Sequence, residues 1–204
     1  MSGLKKGGVI IIDFGSQYTQ LIARKIREQN VFSEILSHES SLATIMAHET
    51  REIILSGGPS SVYEKNAPSY DKEILDLDLP ILGICYGLHI LAQHHGGCVE
   101  STGKGEYGFA NISVNGSSQL LNSVPNNSQV WMPHMDRVLN IPYGWSVIAD
   151  SSNNVAAAIS SVDSNRLPTQ FSPEVFHSIY GHQILKKLLL VISYCSPSLI
   201  WGNL

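Results

Sequence analysis

The chain has 204 residues, of which 43% are hydrophobic and 15% are charged, and its formal net charge is -4. This composition predicts one globular domain with a substantial core, and it gives no reason to expect nucleic acid or an anionic membrane as a partner. Because three cysteines are too few for a disulfide framework, and because no run of about 18 apolar residues could span a membrane, we expect a cytoplasmic protein.

The first half of the chain alternates strand-like and helix-like segments. Short β-branched runs are typical of buried parallel strands, and apolar residues at intervals of three and four predict helices. The predicted strands are 8–13, 33–36, 52–55 and 81–84. The predicted helices cover 18–26, 42–47, 70–75 and 88–95, with Ser16 as the N-cap of the first. This order predicts an α/β fold, a doubly wound and mostly parallel sheet flanked by helices.

The pattern changes after residue 97. Short strand-like runs alternate with clusters of Asn, Ser, Gly and Pro, which favour tight turns between antiparallel strands. These runs are 107–114, 129–132, 146–149 and 155–160, followed by a further core strand at 167–171 and a helix from Gly181. The C-terminal half therefore predicts an antiparallel extension of the sheet.

Cys85 lies at the junction between the strand 81–84 and the helix that follows it. Gly83 and Gly87 flank it at two residues on either side, which is the layout of a nucleophile elbow with cysteine in the place of serine. The adjacent helix N-terminus favours the thiolate, so the pattern predicts that Cys85 is a nucleophile and the most reactive thiol of the chain. The alternative is a buried structural cysteine at the end of a strand.

The other motifs are less specific. The turn Ser56-Gly57-Gly58-Pro59 could point a backbone N–H at an oxyanion near Cys85, or could be an ordinary tight loop. Neither a P-loop nor a dinucleotide fingerprint is present. Among eight histidines, His94 and His95 are adjacent, and neighbouring helical residues point in different directions. No Cys/His pair has zinc spacing, so the sequence predicts no metal site.

Several longer motifs carry a resemblance to a known family. The most specific are 12–21, 55–63 and 83–87, and the shorter matches are 106–108, 130–132, His134, Asp136 and 170–171. With these motifs the chain resembles the class-I (triad) glutamine amidotransferases, and among them the amidotransferase domains of GMP synthases. The likeness runs from Gly8 to about Trp201.

The resemblance implies roles for individual residues. Cys85 would attack the carboxamide of glutamine, and Glu174 would be the acid of the catalytic triad. The backbone N–H groups of Gly58 and Tyr86 would form the oxyanion hole. Substrate would be held by residues around the pocket, namely Gly57, His89, His134 and Met135.

Four positions depart from the family pattern. Ser172 stands where the family has the triad histidine, and His89 stands where it has a glutamine. Pro133 and Met135 replace a serine and a glycine beside the glutamine site. His177 also matches a family position, so we do not expect it to be a replacement base. Two functions stay open: a glutamine-hydrolysing component of doubtful efficiency, or a catalytically impaired domain that acts as a binding or regulatory module or is a truncated gene product.

The resemblance also implies a division of the chain and a partner. Residues 1–194 would form the amidotransferase domain, and 195–204 would begin a linker to a synthetase (ATP pyrophosphatase) domain. Glutamine would be the substrate, and the ammonia would convert XMP to GMP. No cofactor is expected on this chain, because ATP and Mg would bind the synthetase domain. Whether that domain is a separate chain or has been lost stays open.

Overall fold

The computed structural model describes residues 8–106, 108–115, 118–132, 134–152 and 155–192. The predicted linker 195–204, Cys195 and Pro133 lie outside these residues. Within the described ranges, no helix is long and apolar enough to cross a membrane.

The first half of the chain has the predicted alternation. Its strands are β1 (Val9–Asp13), β2 (Ser33–Ser37), β3 (Glu52–Leu55) and β4 (Ile81–Gly83). Its helices are α1 (Thr19–Arg27), α2 (Leu42–Met46), a 3-10 helix over Lys72–Asp76, and α3 (Tyr86–His94). Ser16 caps the turn before α1 rather than the helix itself, since its Oγ accepts the N–H of Tyr18 at 3.0 Å.

The four strands form a parallel sheet in the order β2-β1-β3-β4. Alternate residues of β1 enter different cores: Val9 and Ile11 pack on one face, and Ile10 and Ile12 pack on the other. The first face is covered by α1 together with α4 (Gly181–Lys187), and the second by α2 and α3. Both faces of the sheet are therefore buried, which explains the continuous apolar runs and confirms the doubly wound sheet.

The second half of the chain is antiparallel. It contains β5 (Cys98–Glu106), β6 (Phe109–Val114), β7 (Ser128–Trp131), β8 (His134–Asn140), β9 (Ser146–Ser151) and β10 (Ala156–Ser160). One sheet has the order β10-β9-β6-β7, and β5 pairs with β8 in a separate two-stranded sheet. The sequence did not predict β5 or β8, because both are rich in polar residues and lack a regular apolar alternation. The helix α4 continues into wider π-type turns over Leu188–Ile192.

The predicted core strand at 167–171 connects the two large sheets. Leu167 N–H donates to the Ile81 carbonyl at 3.0 Å, and Thr169 N–H donates to the Gly83 carbonyl at 2.7 Å. On its other edge, Gln170 N–H donates to the Ala157 carbonyl at 2.8 Å. Pro168 has no N–H, so the segment forms isolated bridges rather than a regular strand. This connection confirms the antiparallel extension and brings the residues after Thr169 to the end of β4.

Candidate active site

Cys85 adopts the strained backbone of an elbow. Its φ is 51° and its ψ is -102°, in a region that non-glycine residues rarely occupy. A Cβ on Gly83 would lie 2.5 Å from the carbonyl oxygen of Gly87, and one on Gly87 would lie 2.5 Å from that of Leu55. Both glycines are therefore needed for α3 to turn back so tightly on β3 and β4. The structure confirms the predicted elbow and places Cys85 immediately before α3.

A pocket of about 330 Å³ opens beside Cys85. It lies at the carboxyl ends of β1, β3 and β4, around the point where the sheet order reverses. Its lining consists of Gly15, Ser16, Gln17, Tyr18, Gly57, Gly58, Pro59, Cys85 and Ser172. The structure thus places residues 56–59, here named the glycine loop, beside Cys85, which is the first of the two possibilities that the sequence left open.

The glycine loop is fixed to the end of β1. Ser56 Oγ accepts the N–H of Phe14 at 2.9 Å and donates to the carbonyl of Gly57 at 2.8 Å. A Cβ on Gly58 would lie 2.5 Å from the carbonyl oxygen of Phe14, so no larger residue fits there without a shift of the backbone. By contrast, a Cβ on Gly57 would make only an ordinary contact, 3.6 Å from the Cβ of Cys85.

The Cys85 thiol is not acidified in this environment. Part of the residue faces the pocket, yet burial of the thiol raises its pKa to about 12, and the carboxylates of Glu174 and Asp136 add to the effect. The backbone N–H of Tyr86 and the side chain of Gln170 lower the pKa by hydrogen bonding, but they do not offset the burial. The sequence-based expectation of a thiolate favoured by the helix N-terminus is therefore corrected: at neutral pH the thiol is protonated.

Ser172 and Glu174 form a buried pair next to the pocket. Ser172 lines the pocket, and its hydroxyl hydrogen-bonds to the Glu174 carboxylate. Glu174 is 2% exposed, and its Oε2 has no hydrogen-bond partner among the described residues. Burial raises the pKa of Glu174 to about 7. Hydrogen bonds from its own backbone N–H and from the Ser172 hydroxyl lower the pKa, but they do not offset the burial. The structure thus brings Ser172 and Glu174, both predicted as site residues, into direct contact at the pocket.

His89 contacts the cysteine through an intermediate side chain. It is 3% exposed, and its Nε2 lies 2.9 Å from Gln170 Oε1. The Gln170 amide in turn donates to the sulfur of Cys85 at 3.7 Å. His89 does not line the pocket described above. Gln170 was not predicted as a site residue, and the available signal was its position directly before Phe171 and Ser172.

Two further predicted residues, His134 and Met135, begin β8, but their side chains lie outside the described part of the chain. Asp136, the next residue, accepts hydrogen bonds from Ser61 Oγ at 2.5 Å and from Tyr63 Oη at 2.7 Å. These bonds connect β8 to the segment that follows the glycine loop.

His177 does not line the pocket and packs against aromatic side chains instead. Its ring packs at a tilt against Trp131, with the centroids 5.0 Å apart, and against Phe109, at 5.3 Å. This placement agrees with the expectation that it is not a replacement base.

The structure changes the interpretation of the adjacent histidines. His94 is the last residue of α3 and His95 is its C-cap. Ligand atoms of both side chains and of Asp76 lie within 4.8 Å of one another. These neighbouring histidines do not diverge as expected, because His95 caps α3 and the 3-10 helix that ends at Asp76 approaches both side chains.

Comparisons with known proteins agree with this geometry. The family model for "Glutamine amidotransferase class-I" matches residues 10–192. The chain belongs to the class-I glutamine amidotransferases. Within that class it is similar to proteins named GMP synthase [glutamine-hydrolyzing]. It is 46% identical to the one from Campylobacter jejuni subsp. jejuni serotype O:2 over 199 residues, and 43% identical to the one from Gloeothece citriformis over 190 residues.

These matches cover 98% and 93% of this chain but only 39% and 35% of the relatives, so the chain spans less than two fifths of their length. Among solved structures, a candidate GMP synthase subunit from Thermoplasma acidophilum superposes with a TM-score of 0.77 at 27% identity, covering 92% of this chain and 93% of that one. A glutamine amidotransferase from Thermotoga maritima has the same fold, with a TM-score of 0.67 at 19% identity and coverage of 93% and 86%.

Because the Cys85 thiol is buried, we expect the cysteines to react with an alkylating reagent at different rates. At pH 7.5 iodoacetamide is expected to alkylate Cys98, which is exposed, faster than Cys85, because only the thiolate reacts at a useful rate. Peptide mapping of timed samples measures both rates, and the same reaction in denaturant should make them equal. Faster labelling of Cys85 in the folded protein would show that the helix N-terminus outweighs burial.

Proposed function

We propose that this chain is the glutamine-hydrolysing, ammonia-supplying component of a GMP synthase and that its hydrolysis of glutamine is slow. The observation that carries the proposal is the Cys85 elbow, which opens into a pocket shared with Gly57 and Gly58. This arrangement lacks a side chain that could act as the catalytic base, because the residue paired with Glu174 is a serine, Ser172.

The reaction would begin when the sulfur of Cys85 attacks the carboxamide carbon of glutamine. The C–N bond then breaks, and the thiol proton passes to the leaving nitrogen, so that ammonia departs and a thioester forms. Water hydrolyses the thioester, which gives glutamate and regenerates the thiol. The N–H groups of Gly58 and Tyr86 would stabilise the oxyanion, and Gly57, His134 and Met135 would surround the bound glutamine. His89, predicted from the sequence as a substrate contact, would act on the site only through Gln170. The first step is slow because the thiol is protonated and because a serine hydroxyl cannot accept its proton at neutral pH.

The partner would be a GMP synthetase domain or subunit of the ATP pyrophosphatase type, which binds ATP and Mg and aminates XMP. Two findings support this partner. The relatives are named GMP synthases, and the chain matches only 39% of the Campylobacter jejuni protein, which leaves the rest of that protein for another domain. In this proposal 1–194 is the amidotransferase domain and 195–204 begins the link to the synthetase. Both reactions would take place in the cytoplasm.

Glutamate and ammonia release, measured with and without an added synthetase chain, XMP and ATP, tests the proposal. We expect slow release that depends on Cys85, so that Cys85→Ala is inactive and Cys98→Ser, which changes an exposed thiol, keeps the parent rate. GMP formation from glutamine in the coupled assay would support the full assignment. Release that is the same in the Cys85→Ala variant would contradict it.

A second function, a binding or regulatory module without turnover, is favoured by one observation. Glu174 is paired with Ser172, and its second oxygen has no partner among the described residues, so the acid orients no imidazole there. This alternative predicts binding of a synthetase chain with no glutamate release above the Cys85→Ala background. A pull-down combined with the same assay separates the two functions.

A further inference from the structure

A second cluster of polar side chains lies at the opposite end of α3 from Cys85. It consists of Asp76 at the end of the 3-10 helix, His94 at the end of α3, and His95 as the cap. Because α3 rises about 1.5 Å per residue, the cluster is roughly 14 Å from the elbow. It is therefore independent of the pocket and of the proposed glutamine chemistry.

The distances within the cluster are short. His94 Nε2 lies 2.8 Å from Asp76 Oδ1, and one ligand atom of each of the three residues lies within 4.8 Å of the other two. A tetrahedral zinc site with bonds of about 2.0–2.1 Å has ligand atoms about 3.3 Å apart, so the three groups need only a small contraction. The Asp76 side chain is 63% exposed and can rotate to make it.

The backbone that carries Asp76 is held in place by a buried arginine. The Arg166 guanidinium donates to the carbonyls of Leu75 at 2.9 Å, Leu77 at 2.7 Å and Leu79 at 3.1 Å. The His95 ring packs against Trp145 with the centroids 5.2 Å apart. The three candidate ligands are thus positioned on a firm framework without an ion, which reduces the entropy cost of binding one.

A further observation favours a cation. His95 Nε2 is buried and has no hydrogen-bond partner among the described residues, and a buried polar atom without a partner is costly. The carboxylates of Asp76, Asp78 and Asp163 act electrostatically on Arg166 and partly offset its positive charge beside the cluster.

We propose that Asp76, His94 and His95 bind a divalent transition-metal ion, with Zn²⁺ as the best fit. Two imidazoles and one carboxylate suit this ion, and a water molecule would complete a four-coordinate site. The ion would join the 3-10 helix to the end of α3. Binding to the folded chain would raise its melting temperature in proportion to the logarithm of the ion concentration.

The test uses the whole chain after treatment with a chelator and removal of that chelator. Zn²⁺ is titrated by calorimetry, and Co²⁺ is titrated by visible spectroscopy. We expect one equivalent bound with a dissociation constant in the micromolar range or below, a rise in melting temperature, and Co²⁺ d–d bands of a four-coordinate site without a thiolate charge-transfer band. Asp76→Asn and His95→Gln should each weaken binding at least tenfold.

The matched control is His182→Ala, which removes an exposed histidine on α4 and should bind like the parent. If Asp76→Asn does not fold, His95→Gln and His94→Gln provide the comparison, with circular dichroism as the check on folding. Absence of binding to the parent would overturn the proposal. Equal binding by the parent and by folded cluster variants would place the ion elsewhere and would also overturn it.

Discussion

Replacing Ser172 by histidine is expected to raise kcat/KM for glutamine hydrolysis by about 10²–10³. General acid–base catalysis contributes typically 10²–10⁴ in rate, and a serine hydroxyl supplies none of it at neutral pH. The site is prepared for an imidazole, because residue 172 lines the pocket with Cys85 and its side chain already touches Glu174. The recovery should be partial, since His89, Pro133 and Met135 still differ from the family pattern.

Steady-state kinetics of the parent and its variants provide the comparison. Ser172→Ala is the matched control that adds no base and should stay at the parent rate, and Ser172→His combined with Cys85→Ala should be inactive. Adding His89→Gln and Met135→Gly to Ser172→His should lower KM and raise kcat together. Family-like activity in the unmodified chain would contradict the expectation and would mean that another group accepts the thiol proton.

The free energy of unfolding is expected to fall by about 3 kcal/mol between pH 4.5 and pH 7.5 because of Glu174 alone. Burial raises the pKa of this carboxyl from 4.5 to about 7 in the folded chain. A pKa difference of one between the folded and unfolded states corresponds to about 1.4 kcal/mol. Between the two pKa values the folded state holds a proton that the unfolded state has lost, so stability decreases as pH rises. Well below pH 4.5 both states are protonated, and the contribution becomes constant.

Urea unfolding of the parent and of Glu174→Gln at pH 4.5 and pH 7.5 measures this effect. The variant carries no charge at the position, so it should lose the corresponding part of the pH dependence. Glu39→Gln, at an exposed position, is the control and should behave like the parent. In Ser172→His an imidazolium beside Glu174 would stabilise the carboxylate, so the same decrease should become smaller. A parent whose pH dependence equals that of Glu174→Gln would show that the carboxyl is not the cause.

Several features of the site could be predicted from the sequence because they depend on local spacing. The Gly83-Cys85-Gly87 pattern predicted the elbow, and the apolar runs predicted four parallel strands in the first half of the chain. For the glycine loop after β3 the sequence left two possibilities open, a backbone N–H near Cys85 or an ordinary tight loop, and the structure places this loop beside Cys85. The strands β5 and β8 were missed, because they lack an apolar alternation and can be recognised only from their antiparallel pairing with each other.

The sequence by itself determined the fold class, the position of Cys85 on a tight turn, and the replacement of the triad histidine by Ser172. These properties reside in residue type and in short-range spacing. Only the tertiary structure decided the electrostatics: the raised pKa of Cys85 and of Glu174 comes from burial by segments distant in the chain. The same holds for the contact of His89 with Gln170 and for the meeting of Asp76 with His94 and His95. Burial and proximity between distant segments arise from packing, and no local pattern encodes them.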